Sequence, residues 1–469
     1  MTKQRQIFIV TDLGYGDSGK GTMTDYLVRR HGAHTVVRYN GGAQALHRVV
    51  DPDGRSHSFS LFGSGTFVPG VRTHLSRHVI IHLHRLLEEE ASLRALGIAD
   101  AFDRLTIDER ALIATPIHQA VNCLRELARG DGRHGSCGLG IGETRHDSIR
   151  KCEDSVTVSD LGDANTLRRK FRRLRERKRD ELQDIITSLD GNERAGIYLK
   201  VLTGHQVIEN CVDLCLEVAD KIIRTDERFE CDLFQRTGSI IFEGSQGVLL
   251  DQWHGFHPYT TWSITTSQHA HELLHEYGYD GAAVETIGVV RAYATRHGPG
   301  PFVTENTGLT ETLPDVSNGM NEWQRTFRVG HFDAVATRYA IDVDGHINTI
   351  AVTCLDRMTR EASHIVQRYA ISRLTPYSVR DIMSVCPVSG DIKYLFPKRN
   401  LEDQDRQAKL TECLLKYCTP GMYAGVLDGL WMPGSPAVRE FIHTLQMELS
   451  RHVGYLSFGE TAEDKYTIE

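Results

Sequence analysis

Gly14-Tyr15-Gly16-Asp17-Ser18-Gly19-Lys20-Gly21-Thr22 is the stretch whose reading decides the fold. It follows the apolar run Ile7-Phe8-Ile9-Val10 and opens into a helix-compatible segment from Thr22 to Arg30. Strand, glycine turn and helix start together present bare backbone N–H groups and the positive end of a helix dipole, the setting in which proteins hold phosphate. Gly14, Gly19 and Lys20 meet the spacing of the phosphate-loop template, but Gly21 stands where that template wants a Ser or Thr hydroxyl for magnesium. Asp17, inside the turn, is then a candidate for the missing metal oxygen or for a base. Taken alone, the stretch is equally compatible with a glycine-rich turn that carries no chemistry.

With 469 residues, 40% of them apolar and 25% charged, the chain can bury a large core. No Pro/Gly/Ser linker, low-complexity tract or repeat period divides it, so the expectation is a single large unit over residues 1–469 with insertions. The net charge of −8 argues against general nucleic-acid affinity. Ten cysteines are scattered without a C-x-x-C pair. Cys211 and Cys215 have the spacing of one helix face, and reduced thiols are expected rather than disulfides or a metal site. Met1 to Gln6 carries no signal pattern, and no apolar run reaches membrane length. The expectation is a cytoplasmic protein with neither a membrane nor a nucleic-acid partner.

Short apolar runs alternate with helical stretches, which reads as α/β. Residues 7–11, 35–39, 239–242, 347–355 and 454–457 read as buried strands, and 83–96, 206–224 and 438–449 as helices. The one strongly basic run, Arg168-Arg169-Lys170-Phe171-Arg172-Arg173-Leu174-Arg175, reads as a solvated helix face with Leu167, Phe171 and Leu174 turned inward.

The segment that follows the glycine turn narrows the reading. Val36-Val37-Arg38-Tyr39-Asn40-Gly41-Gly42-Ala43-Gln44-Ala45-Leu46-His47 comes after a GDxGKG turn, and the pair resembles adenylosuccinate synthetase. Further matches lie in the family's order. Gly135-Ser136-Cys137-Gly138-Leu139-Gly140-Ile141-Gly142 resembles GTTGRGIG, and Phe242-Glu243-Gly244-Ser245-Gln246-Gly247 resembles FEGAQG. His254-Gly255, Pro258-Tyr259 and Thr261 follow at the family's spacing, then Ala292-Tyr293-Ala294-Thr295-Arg296 and Gly300-Pro301-Phe302 resemble AYSTRVGAGPF. Thr353-Cys354-Leu355-Asp356 is similar to TKLD, and Ser457-Phe458-Gly459 to STG.

This resemblance implies an α/β fold around a mostly parallel central sheet, with the phosphate-loop-like turn after the first strand. It implies a ligase that joins L-aspartate to a 6-oxopurine nucleotide, IMP foremost, using GTP and Mg²⁺ to activate O6. By position, Asp17 matches the base that removes the ring N1 proton. Lys20 and His47 match the groups around the migrating phosphoryl, whose equatorial oxygens need their charge neutralised. Gly16, Ser18, Gly19, Gly21 and Thr22 would line the nucleotide phosphates. Asp17 and the Leu46 carbonyl, the latter in place of a glycine carbonyl, would hold magnesium. Gln44, Cys137, Gln246 and Thr261 fall on purine-nucleotide positions, with Gln44 replacing an asparagine and Cys137 a threonine. Arg150 lies near an arginine that reaches the phosphate from a second subunit, which implies at least a homodimer; the alternative is a solvated surface arginine.

Asp356 would read the donor base. A carboxylate suits guanine's N1–H and N2 amine, whereas adenine offers it a repelling acceptor. Its partner lysine is Cys354 here, while Ser457 and Gly459 fit the same pocket. The sharpest departure is at 321–330, where two threonines are lost but Arg325 and Arg328 remain as an arginine fork suited to a carboxylate such as aspartate. Two alternatives stay open. One is the phage-type relative that aminates GMP or dGMP, with ATP or GTP; the retained Asp17 speaks for an ordinary synthetase. The other is a nucleotide-sensing or assembly protein without the ligase step, against which Asp17, Lys20 and His47 together argue.

Overall fold

The computed structural model describes residues 5–132, 134–279, 283–315, 326–376, 378–398, 400, 403–424 and 428–468. Its frame is a ten-stranded sheet. In chain order the strands are β1 (Gln6–Asp12), β2 (Thr35–Arg38), β3 (Arg72–Leu75), β4 (Leu105–Asp108), β5 (Ile223–Thr225), β6 (Ser239–Gly247), β7 (Ala283–Arg291), β8 (Thr349–Thr353), β9 (His452–Ser457) and β10 (Lys465–Thr467). Across the sheet they run β10-β9-β8-β7-β1-β6-β2-β3-β4-β5. Every neighbouring pair is parallel except β9 with β10.

A parallel strand covered on both faces reads as an unbroken apolar run. Ile7, Phe8, Ile9 and Val10 are buried without alternation, and β1 accordingly lies inside the sheet between β6 and β7. The ladder between β1 and β6 shifts after Val10, and the next pair is Asp12 with Gly247. That break frees the chain to turn at the carboxyl ends of two adjacent strands, where open α/β sheets place their ligands.

Helix α1 (Lys20–His31) leaves the turn through Gly19, whose φ of 90° only glycine adopts readily. The helix has no side-chain cap at its start, while Arg29, Arg30 and His31 complement its dipole at the end. Further along come α2 (Ile141–Ile149), α3 (Ala164–Glu181), α4 (Val207–Ala219) and α5 (Ala334–Asp344).

The strands expected at 7–11, 35–39, 239–242, 347–355 and 454–457 are all present, with ends displaced by a few residues. The helix expected over 206–224 is shorter. It stops at Ala219, and Ile223–Thr225 becomes the edge strand against β4, because apolar residues at Ile222 and Ile223 serve either period. Cys211 and Cys215 share the buried face of α4, and the cysteines are free thiols. The basic run lies on α3 with Leu167, Phe171 and Leu174 buried. Its cations meet carboxylates on neighbouring segments: Arg168 pairs with Glu209, Lys170 with Asp160 and Arg173 with Glu153. The segments around 160–200 supply helices to one apolar core, and those around 375–400 supply strands to a separate four-stranded antiparallel sheet.

None of the described helices is long and apolar enough to cross a membrane. Phe171→Ala should lower the stability of the fold by about 3 kcal/mol, whereas Arg172→Ala should stay within about 0.5 kcal/mol; denaturant unfolding of both variants measures the contrast.

Candidate active site

The glycine turn closes around the side chain of Asp12. Asp12 Oδ1 accepts from Gly14 N at 2.8 Å and Gly16 N at 3.3 Å; Oδ2 accepts from Ser18 N at 2.9 Å and from Lys20 Nζ at 3.1 Å. Lys20 Nζ also donates to the Gly16 carbonyl at 2.7 Å. The amides of Gly16 and Ser18, expected on nucleotide phosphate, are therefore committed to a carboxylate of the same turn. The amides of the first turn of α1, at Lys20, Gly21 and Thr22, have no intrahelical acceptor and remain the anion-facing donors.

The turn is backed by bare main chain. A Cβ on Gly247 would lie 2.1 Å from the Gly14 carbonyl oxygen and 2.5 Å from Gly16 N. Opposite, Thr353 Oγ1 donates to the Ser18 carbonyl at 2.7 Å. Arg291, at the end of β7, donates through Nε to the Asp17 carbonyl and through Nη2 to Asp315 at 2.9 Å. Among the described residues no group hydrogen-bonds the Asp17 carboxylate. Burial raises its pKa and the charge of Asp12 adds to the rise, while Arg291, Lys20 and His297 oppose it. A proton acceptor strengthened in this way is suited to a weakly acidic ring N–H.

His47 packs on the same turn. A Cβ on Gly21 would sit 2.8 Å from the His47 Cβ and 3.0 Å from Ser64 Oγ, so the histidine fills the space of the hydroxyl side chain that the phosphate-loop template carries. Its Nδ1 lies 2.6 Å from Glu243 Oε1 and its Nε2 3.1 Å from the Ser245 carbonyl. Glu243 also accepts from Ser64 N at 3.0 Å and from the Ser64 hydroxyl. Burial alone would raise the Glu243 carboxyl; the charges of His47 and Arg38 and the hydrogen bonds outweigh it and hold the group at about 2. Glu243 is thus an anion that fixes the imidazole with Nδ1–H toward itself.

Gln246 and Gln44 approach the adjacent glycines Gly41 and Gly42. A Cβ on Gly41 would lie 2.4 Å from Ser245 Cβ and 2.8 Å from Gln246 Oε1, and a Cβ on Gly42 3.1 Å from Gln44 Oε1. Both amide atoms of Gln44 and both of Gln246 are buried without a hydrogen-bond partner. A buried amide left unmatched costs about 1–3 kcal/mol, so these four atoms mark a surface built for a polar ligand. Thr261 is held through its amide on the Leu250 carbonyl at 2.8 Å. Cys137 is partly buried, Leu46 is exposed beside His47, and Arg150 is an exposed residue at the end of α2.

On the far side, Ser457 Oγ donates to the Gly459 carbonyl at 3.1 Å, and Thr22 Oγ1 to the Glu460 carbonyl at 2.8 Å. The hydroxyl of Thr22 therefore joins α1 to the chain end instead of facing a phosphate. Asp356 is exposed, next to Cys354 at a left-handed φ of 60°. Lys465 donates to the Gly459 and Thr461 carbonyls, and its charge bears on Asp356.

Arg325 lies outside the described residues. Arg328 pairs with Glu305 at 2.7 Å, donates to the Gly298 and Gly300 carbonyls, and lies over the Phe302 ring. Its guanidinium ties the two-stranded ribbon of Ala294–His297 and Phe327–Gly330 to the segment 298–305. Sequence reasoning missed Asp12, Glu243 and Arg291. Glu243 had a signal, since a lone acid within Ile240-Ile241-Phe242 must be paired if the strand is buried.

The family model for adenylosuccinate synthetase matches residues 9–394. The adenylosuccinate synthetase of a Cyanothece strain is 34% identical over 357 residues, 74% of each chain. That of Saccharopolyspora erythraea is 34% identical over 348 residues, 74% of this chain and 76% of the relative. The fully ligated adenylosuccinate synthetase from Plasmodium falciparum shares the fold with a TM-score of 0.74 at 18% identity, covering 98% of this chain and 99% of that one. The succinoaminodeoxyadenylate synthetase of cyanophage S-2L, bound to dGMP and dATP as an energy donor, matches with a TM-score of 0.56 at 17% identity, covering 99% and 96%. The glycine turn, the buried histidine–glutamate pair and these matches lead to one conclusion: the chain belongs to the adenylosuccinate synthetase family and is a ligase of that type.

Proposed function

We propose that the protein joins L-aspartate to a 6-oxopurine nucleoside monophosphate, IMP before other purines, with GTP as phosphoryl donor. The observation that carries this reading is Asp17, a half-buried carboxyl of raised pKa in the same turn as Lys20 and four residues before the glycine on which His47 packs. Asp17 takes the N1 proton, so that electron density moves to O6 and O6 attacks the γ-phosphorus, breaking its bond to the β-phosphate oxygen and releasing GDP. The amine of aspartate then displaces phosphate at C6. Lys20 and the first amides of α1 stabilise the charge that spreads over the transferring oxygens, with His47 held beside them by Glu243.

A divalent cation, Mg²⁺ in this reading, fits the donor set, because the Asp17 carboxylate and the Leu46 carbonyl are the hard oxygens that such an ion combines with phosphates and water. When bound it supplies charge neutralisation between the phosphates. Gln44 and Gln246 give their unmatched amides to the purine nucleotide, with Thr261 and Cys137 beside them. Asp356, Ser457 and Gly459 take the donor base, and Arg325 takes a carboxylate of the amino acid. Arg150, exposed at the end of α2, reaches the phosphate of a second subunit's nucleotide in a homodimer. A second reading, transfer to GMP or dGMP with ATP or GTP, draws on the fold shared with the cyanophage enzyme.

Mass detection of the succinyl adduct separates the two. Incubated with Mg²⁺, aspartate and GTP, the protein should give adduct from IMP; adduct from GMP or dGMP alone would replace the first reading by the second. Asp17→Asn and His47→Ala should each lower kcat by about a thousandfold or more while nucleotide binding stays measurable by calorimetry.

Two further variants test the supporting groups. Glu243→Gln should lower kcat on the order of a hundredfold through loss of the oriented, charge-assisted His47. Glu243 titrates near 2 when folded against an ordinary 4.5, so its contribution to stability is complete above that ordinary value and is lost as the pH falls through the folded one. Urea unfolding of Glu243→Gln should therefore vary less with pH across that interval than the parent does. Gln246→Met removes an unmatched amide at constant length. It should leave the melting temperature of the free protein unchanged or higher, and diminish the rise in melting temperature that IMP produces.

A further inference from the structure

We propose that Asp12 is a positioning residue for phosphoryl transfer: its buried carboxylate is the internal anion around which the glycine turn folds, and it holds Lys20 and Asp17 in place for the nucleotide. The proposal rests on the reading of Asp17 as the base.

Four donors converge on Asp12. Alternate amides of the turn (Gly14, Gly16 and Ser18) and the Lys20 ammonium all lie within 3.3 Å of its two oxygens, and the residue is 0% exposed. A phosphate-binding nest aims successive amides at a ligand anion; here they are aimed at the side chain of the residue that ends β1. An ionised carboxylate so deeply buried is tolerable only with such a set of partners. Equally, amides and an ammonium so placed would be left unmatched without it.

Two consequences follow for the chemistry. The nucleotide phosphates meet the uncapped first turn of α1 and not the middle of the glycine turn, and Lys20 is presented from a fixed point between Asp12 and the Gly16 carbonyl. Asp17 is held from both sides, because the flanking amides of Gly16 and Ser18 both bond to Asp12. Without that anchor the Asp17 carboxyl and the Lys20 ammonium lose their fixed relation.

The test is the split between kcat and KM for the purine nucleotide, per molecule of folded protein quantified by circular dichroism. Asp12→Asn keeps the shape, removes the charge and turns an amide NH₂ toward Ser18 N–H and Lys20; kcat should fall on the order of tenfold or more while KM for the purine nucleotide changes by less than about threefold. Asp12→Glu keeps the charge and displaces it by one methylene, and kcat should fall with KM likewise held. An aspartate that only stabilises the fold would lower the yield of folded protein and leave kcat per folded molecule unchanged in both variants, which overturns the proposal. If Asp12→Asn does not fold, Asp12→Glu decides: unchanged kcat overturns the proposal, and reduced kcat with KM held supports it. Asp17→Asn keeps the two claims apart. Turnover retained in that variant removes the base assignment itself, whereas turnover lost there but an unchanged kcat in Asp12→Asn removes only the role of Asp12.

Discussion

Among the described glycines the tightest approach of backbone to backbone is at Gly247. Gly247 ends β6 so near the Gly14–Gly16 turn that no side chain fits between them, and β1 and β6 are adjacent parallel strands whose ladder breaks just before that contact. Two chain segments that each carry chemistry are thereby fixed at the carboxyl ends of two interior strands. Asp12, Asp17 and Lys20 come from one, Glu243 and Gln246 from the other. Gly41 and Gly21 repeat the device, letting Gln246 and His47 approach where a Cβ would collide. The positions of the polar groups follow from places where the chain carries no side chain at all.

Within that frame the charges are arranged in opposed pairs. Asp12 meets Lys20, Glu243 meets His47 and Asp315 meets Arg291. The Asp17 carboxylate is left without a hydrogen bond among the described residues, and its proton affinity is raised by burial and by Asp12. Gln44 and Gln246 are likewise left unmatched. A protein that optimised only its own stability would satisfy those amides. Leaving them open costs stability in the free state and is recovered when a ligand with complementary edges enters.

Much of this was legible in the sequence. The unbroken run Ile7–Val10 gave a central strand, and the glycine spacing gave the turn and the helix after it. His47 and Gln246 were placed by motif, and the structure brings both to the turn. Other residues resisted for physical reasons. Asp12 precedes Leu13-Gly14 like any strand-end acid, and only the curl of the following residues reveals that their amides face it. The end of α4 was blurred because Ile222 and Ile223 satisfy a helical and a strand period alike. Arg325 and its neighbours at 321–324 lie outside the described residues.

The central claim is that O6 of the purine becomes the oxygen of the released phosphate. The most direct measurement is isotope transfer: IMP carrying ¹⁸O at position 6 is turned over with aspartate, GTP and Mg²⁺, and the phosphate is analysed by mass. The account predicts one ¹⁸O atom in each phosphate formed from the labelled nucleotide. Unlabelled phosphate, with the label released to water or kept in the purine product, would contradict it.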